Sequence, residues 1–198
     1  MPDEVEPDPV GRLIAALARP AGPSSDFDLN PAVSLPPGRS LRPAAVLLAL
    51  WGRDVVLTKR ASHLKHHPGQ IAFPGGKLED GEGPEAAALR EAEEEIGLPP
   101  QNVTLLGSLA AHETVTGFLV TPVLGQVRAD FTPRRDPQEV EEVFAVPLSH
   151  LLNPANYRIE GRMWRGQIRR YYAVPWGPYY IWGATARILR GLAERVPA

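Results

Sequence analysis

Glu91, Glu94 and Glu95 carry the strongest chemical signal in the chain. On a helix these positions stand at i, i+3 and i+4, so the three carboxylates project from one side. Left to themselves, carboxylates at that spacing repel one another and weaken the helix that carries them. Hard divalent cations between them remove the repulsion, and a purely oxygen donor set selects magnesium or manganese over zinc or copper. Glu93 falls elsewhere and reads as a solvated charge. Arg90, one position before the cluster, can orient a glutamate through a bidentate guanidinium–carboxylate pair. Upstream, Pro74-Gly75-Gly76 permits close backbone approach, and a free carbonyl there can complete a metal shell.

These residues need a helix with a defined start and stop. Pro84 suits the first helical position, and Glu85 suits the positive end of the helix dipole. Leu89, Ala92 and Ile96 form one buried stripe, and Gly97 suits the left-handed residue after the last turn. The spacing therefore predicts a helix over 84–96. Around it, strands are expected at 43–51 and 55–59, joined by a turn at Trp51 to Asp54. A short strand at 70–73 is expected to end at Pro74-Gly75-Gly76. Further strands are expected at 103–111, 117–127 and 140–146, with a hairpin over 157–174 turning near Arg165-Gly166. Short helices are expected at 10–17 and 149–152, and a terminal one at 185–195. Residues 1–35 read as an acidic tail, a short helix and part of a Pro-rich connector; residues 36–198 read as one domain. Strands and helices in this order suggest an α+β chain with a mixed sheet under packed helices.

Gly76, five residues, Glu82, seven residues, then Arg90-Glu91-Ala92-Glu93-Glu94-Glu95-Ile96-Gly97-Leu98 resembles the Nudix box in full. Nine specified positions over 23 residues make a far more specific signal than a lone glycine motif. The resemblance implies an α/β/α sandwich, the Nudix fold with a central mixed sheet and a loop–helix–loop. It also implies hydrolysis of a nucleoside diphosphate linked to another moiety. Val56-Leu57-Thr58-Lys59-Arg60-Ala61, followed by Gly69-Gln70-Ile71-Ala72-Phe73-Pro74-Gly75-Gly76, is similar to the signature of the coenzyme A pyrophosphatase subgroup. Two positions depart from it: Val56 stands for a leucine and Lys65 for an arginine, which keeps the charge but loses the flat fork. Glu139 to Leu148 and Ile181 to Leu189 also resemble that subgroup.

The resemblance implies a Mg2+- or Mn2+-dependent pyrophosphatase with two or more ions, cleaving coenzyme A to 3′,5′-ADP and 4′-phosphopantetheine. Glu91 and Glu95 are then the main metal ligands. Glu94 is a ligand or a base, the Gly75 carbonyl a further ligand, and Arg90 part of the catalytic group. Glu139 is the expected carboxylate from outside the helix, with Glu142 as the alternative. Arg60 and Lys65 are candidates for phosphate contact. Gln70 and Phe73 complete the substrate-binding set, although Phe73 also reads as core. The competing readings are a Nudix hydrolase of ADP-ribose, NADH or another nucleoside diphosphate derivative, and a non-catalytic Nudix binding module. A homodimer is compatible with the family.

Other clusters weigh less. His63, His66 and His67 would suit a metal on a helix, but there is no thiolate and Pro68 disfavours a continued helix. The aromatic group Tyr171, Tyr172, Trp176, Tyr179, Tyr180 and Trp182 reads first as packing, with one ring able to sit against adenine or pantetheine. Arg158, Arg162, Arg165, Arg169 and Arg170 read as hairpin surface charges, one of which can reach a 3′-phosphate.

Composition bounds the rest. The chain has 198 residues, no cysteine and a net charge of −2. It therefore has no disulfide framework, iron–sulfur cluster or Cys nucleophile, and no charge-based reason to bind nucleic acid. Eight acidic residues against one arginine lie between Glu79 and Glu95, while Lys59 to Lys65 holds three basic residues and no acidic one. The longest apolar run is too short to span a bilayer, and the acidic start does not resemble a signal peptide. A cytoplasmic enzyme acting on a small nucleotide, without membrane or nucleic-acid partners, is the expectation.

Overall fold

A computed structural model describes residues 8–33, 38–164 and 166–196. Most of the acidic tail and Arg165 lie outside the described residues. In chain order the elements are α1 (Pro9–Leu17), β1 (Ser24–Ser25), β2 (Arg42–Trp51), β3 (Asp54–Arg60), β4 (Ile71–Ala72), β5 (Gly75–Lys77), α2 (Pro84–Ile96) and β6 (Val103–Ser108). Then come β7 (His112–Glu113), β8 (Phe118–Val127), β9 (Val140–Pro147), α3 (Leu148–Leu152), β10 (Arg158–Trp164), β11 (Gln167–Ala173) and α4 (Gly183–Ala193).

The sheet is mixed, and its axis is the parallel pair β2–β8, in register from Arg42 opposite Phe118 to Trp51 opposite Val127. Both strands are apolar along most of their length, as a strand covered on both faces must be. On one side of this axis β3 pairs antiparallel with the end of β2 and then with β9. On the other, β6 and β7 pair antiparallel with β8. Helices cover both faces. Leu13 of α1, Leu151 of α3 and Ile188, Leu189 and Leu192 of α4 pack with Leu48, Leu50 and Leu57. Ala87, Ala88, Ala92 and Ile96 of α2 pack with Ala45, Leu47 and Ala49 on the opposite face. Alanines on both sides bring α2 close to β2, and that approach sets the height of its carboxylates above the sheet.

Two expectations are corrected. The strand expected over 103–111 is two: β6 ends at Ser108 and β7 resumes at His112, both on β8. Pro122 of β8 has no N–H to donate at the break, where its carbonyl instead accepts from the Leu109 N–H at 2.9 Å. The second concerns the glycines: the short strand does end before Pro74, as expected, but a new one begins at Gly75. Gly75 to Lys77 form β5 against Val46 to Ala44 of β2. A Cβ at Gly75 would lie 2.6 Å from Val46 Cα, so glycine is what lets the two backbones meet there.

The Pro-rich connector is joined to the sheet. Ser24 and Ser25 pair in parallel with His112 and Glu113. The buried Asn30 accepts from the Arg170 N–H at 2.7 Å and donates to the Arg170 carbonyl at 2.9 Å. Asn30→Ala leaves that backbone N–H without its partner, so a loss of about 2–3 kcal/mol is expected in urea unfolding. A change below about 0.5 kcal/mol, the size of an ordinary surface substitution, would contradict this role.

Candidate active site

The three glutamates of α2 do not stand as equals. One residue is about 100° of helical rotation, so Glu94 and Glu95 diverge although both flank Glu91. Glu95 turns toward the sheet and is 4% exposed. The Glu94 side chain is 60% exposed, and that of Glu91 is 16% exposed. Glu93 is exposed. The sequence expectation of one shared face therefore resolves into a buried, a half-buried and a solvated carboxylate.

Arg90 holds this arrangement. Its Nε and Nη2 donate to the two oxygens of Glu82, each at 3.0 Å. Its Nη1 donates to Glu91 at 2.9 Å and Glu94 at 3.2 Å, and Nη2 also donates to the Lys77 carbonyl at 3.1 Å. The expected bidentate pair exists, but its partner is Glu82, whose other contact is the Glu79 N–H at 3.0 Å. Arginine's rigid fork is thereby committed to joining the loop, β5 and α2. Its hydrogen bonds, followed by that from the Glu79 N–H, hold Glu82 below the usual carboxylate range.

Gly75 and Gly76 form the roof. The Gly75 N–H donates to Glu95 Oε2 at 3.2 Å. A Cβ at Gly76 would collide with the Glu91 carboxylate. Burial pushes Glu95 up to about 8, with Glu91 and Glu139 adding to the rise and the Gly75 N–H and Arg60 opposing it. Burial also raises Glu91, against Arg90 and with Glu94 and Glu139. The cluster is thus a set of crowded anions lacking sufficient positive charge.

Glu139 belongs to this electrostatic group. It lies just before β9, on a segment tied to the end of α2 by Arg134 N–H to Ile96 O and Asp136 N–H to Glu95 O, both 2.9 Å. Glu142 faces elsewhere: Lys59 donates to it at 3.0 Å and the Tyr179 hydroxyl at 2.9 Å. Arg60 ends β3 at a bulge, where its charge acts on Glu95. Lys65 is exposed in the following loop. Gln70 and the buried Phe73 line a cavity of about 200 Å3 on the other side of the glycine strand. Asp26 and Trp182 also line it. Asp26, in a segment with no hydrophobic period, is not singled out by the sequence, which leaves Trp182 between packing and a substrate contact.

Among the described residues, no three acidic or histidine side chains stand close enough to enclose a cation as placed. The donor chemistry nevertheless fits a hard cation: oxygen ligands only, one carboxylate buried among like charges, and a glycine cradle that any Cβ would fill. Glu91, Glu95 and, across from them, Glu139 are the residues suited to hold it.

Comparison with known proteins adds the family. The NUDIX domain model matches residues 41–165. A protein of Enterobacter sp. (strain 638) named "Uncharacterized Nudix hydrolase NudL" is 43% identical over 159 residues, 78% of this chain and 83% of that one. Its namesake in Escherichia coli (strain K12) is 41% identical with the same coverage. Among solved structures, the Nudix hydrolase RenU of M. smegmatis is similar with a TM-score of 0.46 and 25% identity, over 57% of this chain and 73% of that one.

The Glu95 shift fixes a pH dependence for the metal-free protein. The folded state keeps the Glu95 proton until about pH 8, whereas an unfolded glutamate loses it near 4.5. Folding stability contributed by this group therefore falls as pH rises from about 4.5 to about 8 and stays low above. In chelator, Glu95→Gln is expected to be more stable than the parent by about 2–4 kcal/mol at pH 9 and nearly equal at pH 4. Unfolding curves whose difference does not change with pH would contradict the buried position of this carboxylate.

Proposed function

Because the chain belongs to the Nudix family, we propose that it is a divalent-metal-dependent diphosphatase that cleaves coenzyme A into 3′,5′-ADP and 4′-phosphopantetheine. One observation carries the reading. The segment from Arg60 to Gly76, which resembles the coenzyme A pyrophosphatase signature, runs from the carboxylate cluster to a cavity on the other side of the same strand. A substrate with a diphosphate in the middle and a long uncharged arm matches those two environments.

Nudix hydrolases generally use divalent ions such as Mg2+. Glu91, Glu95 and Glu139 would hold such ions, which would supply positive charge and lower the negative charge that the nucleophile must approach. The chain's own residues do the rest. Glu91 and Glu95 present oxygens beneath the glycine strand, and Glu139 presents one from the β9 side. Arg60 offers a positive charge to the diphosphate and offsets the acidic cluster. Arg90, whose donors are committed to protein oxygens, fixes Glu91 and does not reach substrate. Water attacks one phosphorus and gives its proton to a carboxylate of the cluster. The anhydride P–O bond breaks, and each product leaves with one phosphate of the former diphosphate, the nucleotide keeping its 3′-phosphate as well. A small nucleotide substrate in the cytoplasm is the setting of this reading.

The test compares kcat/KM for coenzyme A, its 3′-dephospho form and ADP-ribose in Mg2+, with products identified chromatographically. Coenzyme A is expected to be the best of the three, and Glu91→Gln to lower its turnover by about 100-fold or more at unchanged fold. Faster hydrolysis of ADP-ribose would assign the substrate to another nucleoside diphosphate derivative. Full activity of Glu91→Gln would remove the carboxylate cluster from the chemistry.

A further inference from the structure

The cavity beside the catalytic cluster is walled by segments far apart in sequence. The connector supplies Asp26, β4 and its flanks supply Gln70 and Phe73, and the start of α4 supplies Trp182 and Ala184. Its volume of about 200 Å3 is below the roughly 300–1,000 Å3 of sites that enclose a whole small molecule. It therefore suits one part of a larger substrate.

The charges in the cavity are already paired. Asp26 accepts from the Val115 N–H at 2.9 Å, Arg169 Nη2 at 3.1 Å and His112 Nε2 at 3.3 Å. Burial alone would raise Asp26, yet His112, the Val115 N–H and Arg169 together hold it below the ordinary carboxylate range. A paired carboxylate and guanidinium leave the wall polar in detail and neutral in sum. Such a lining disfavours a phosphate, which would compete with Asp26 for Arg169, and also a cation, which would compete with Arg169 for Asp26. Val46, Phe73, Val120 and Trp182 supply the apolar wall. Gln70 supplies an amide near the start of α4, where a Cβ on Gly183 would lie 3.8 Å from its Nε2.

The mouth is marked independently. His67 also lines the cavity and has φ +55, the left-handed conformation disfavoured for a residue with a side chain. Backbone strain of this kind concentrates where ligands are held. Arg60 acts electrostatically on both His67 and Glu95, so one basic residue lies within reach of cavity and cluster alike.

Resting on the diphosphatase reading above, we propose that this cavity seats the uncharged, amide-bearing arm of the substrate, with Gln70 and Trp182 as its specificity-determining contacts. The diphosphate then lies over the carboxylates and the arm passes His67 into the cavity. The nucleotide half stays outside it.

The test separates the cavity from the reaction. Calorimetric binding of pantetheine and of adenosine 3′,5′-bisphosphate is measured for the parent, Ala184→Leu and Gln70→Ala. Ala184 is half-buried in the first turn of α4, so leucine there fills the space. Ala184→Leu is expected to weaken pantetheine by about 10-fold or more, equivalent to about 1.4 kcal/mol. The bisphosphate should keep its affinity within about 2-fold, which also reports an intact fold. Gln70→Ala adds no bulk and should weaken pantetheine by about 3- to 10-fold through the lost amide contact. Pantetheine binding that is absent in the parent, or unchanged in both variants, overturns the proposal, as does selective loss of the bisphosphate. Turnover of coenzyme A by the parent is scored separately. Binding that behaves as expected without such turnover supports the cavity and sinks the substrate reading. Turnover without cavity-dependent pantetheine binding does the reverse.

Discussion

Like charges are held together beneath a pair of glycines by one arginine, and the rest of the site follows from that constraint. Glu91 and Glu95 stand one turn apart on the same helix, and the glycine strand that covers them would pull away if the loop before α2 were free to move. Arg90 prevents this by joining Glu82 of the loop, the Lys77 carbonyl at the end of β5 and Glu91 of the helix. The arrangement is electrostatically unfavourable in one respect, since Glu95 is buried with too little positive charge around it. Structures tolerate such cost where it serves binding or catalysis, and a divalent ion is what the oxygen donors suit.

The fold supplies the geometry by close packing. Alanines along α2 meet alanines and leucine on β2, so the helix lies low on the sheet. Gly75 then lets β5 press against β2 from the same side, and Gly76 leaves room for the Glu91 carboxylate. Adding one methyl group at either glycine would move a strand or displace the Glu91 carboxylate. The segment that carries these glycines continues from Gln70 and Phe73, which places the adjoining cavity at a set distance from the cluster.

Much of this was legible in the residues themselves. The helix over 84–96, its proline start and its glycine stop are local features, and all appear as expected. Apolar-rich runs bounded by turn residues located β2, β3, β8 and β9. What was not legible depends on contacts between distant segments. The bidentate partner of Arg90 is eight residues away across a loop, where helical spacing offers no guide. Gly75 and Gly76 read as a stop, which holds for β4, but their missing side chains also permit a new strand against β2 that no local pattern announced. Asp26 meets His112 and Arg169 only after the sheet has assembled, so no local period announces it.

The proposed cation site depends most on Glu95. Burial among like charges pushes its carboxyl group up to about 8, so at pH 7 an arriving cation competes with a proton for it. Titrating Mg2+ by calorimetry at pH 7 in buffers of different ionisation enthalpy measures that proton directly. Proton release on binding, lost together with affinity in Glu95→Gln, is the result expected. Binding of equal strength in parent and variant, with no proton released by either, would contradict it.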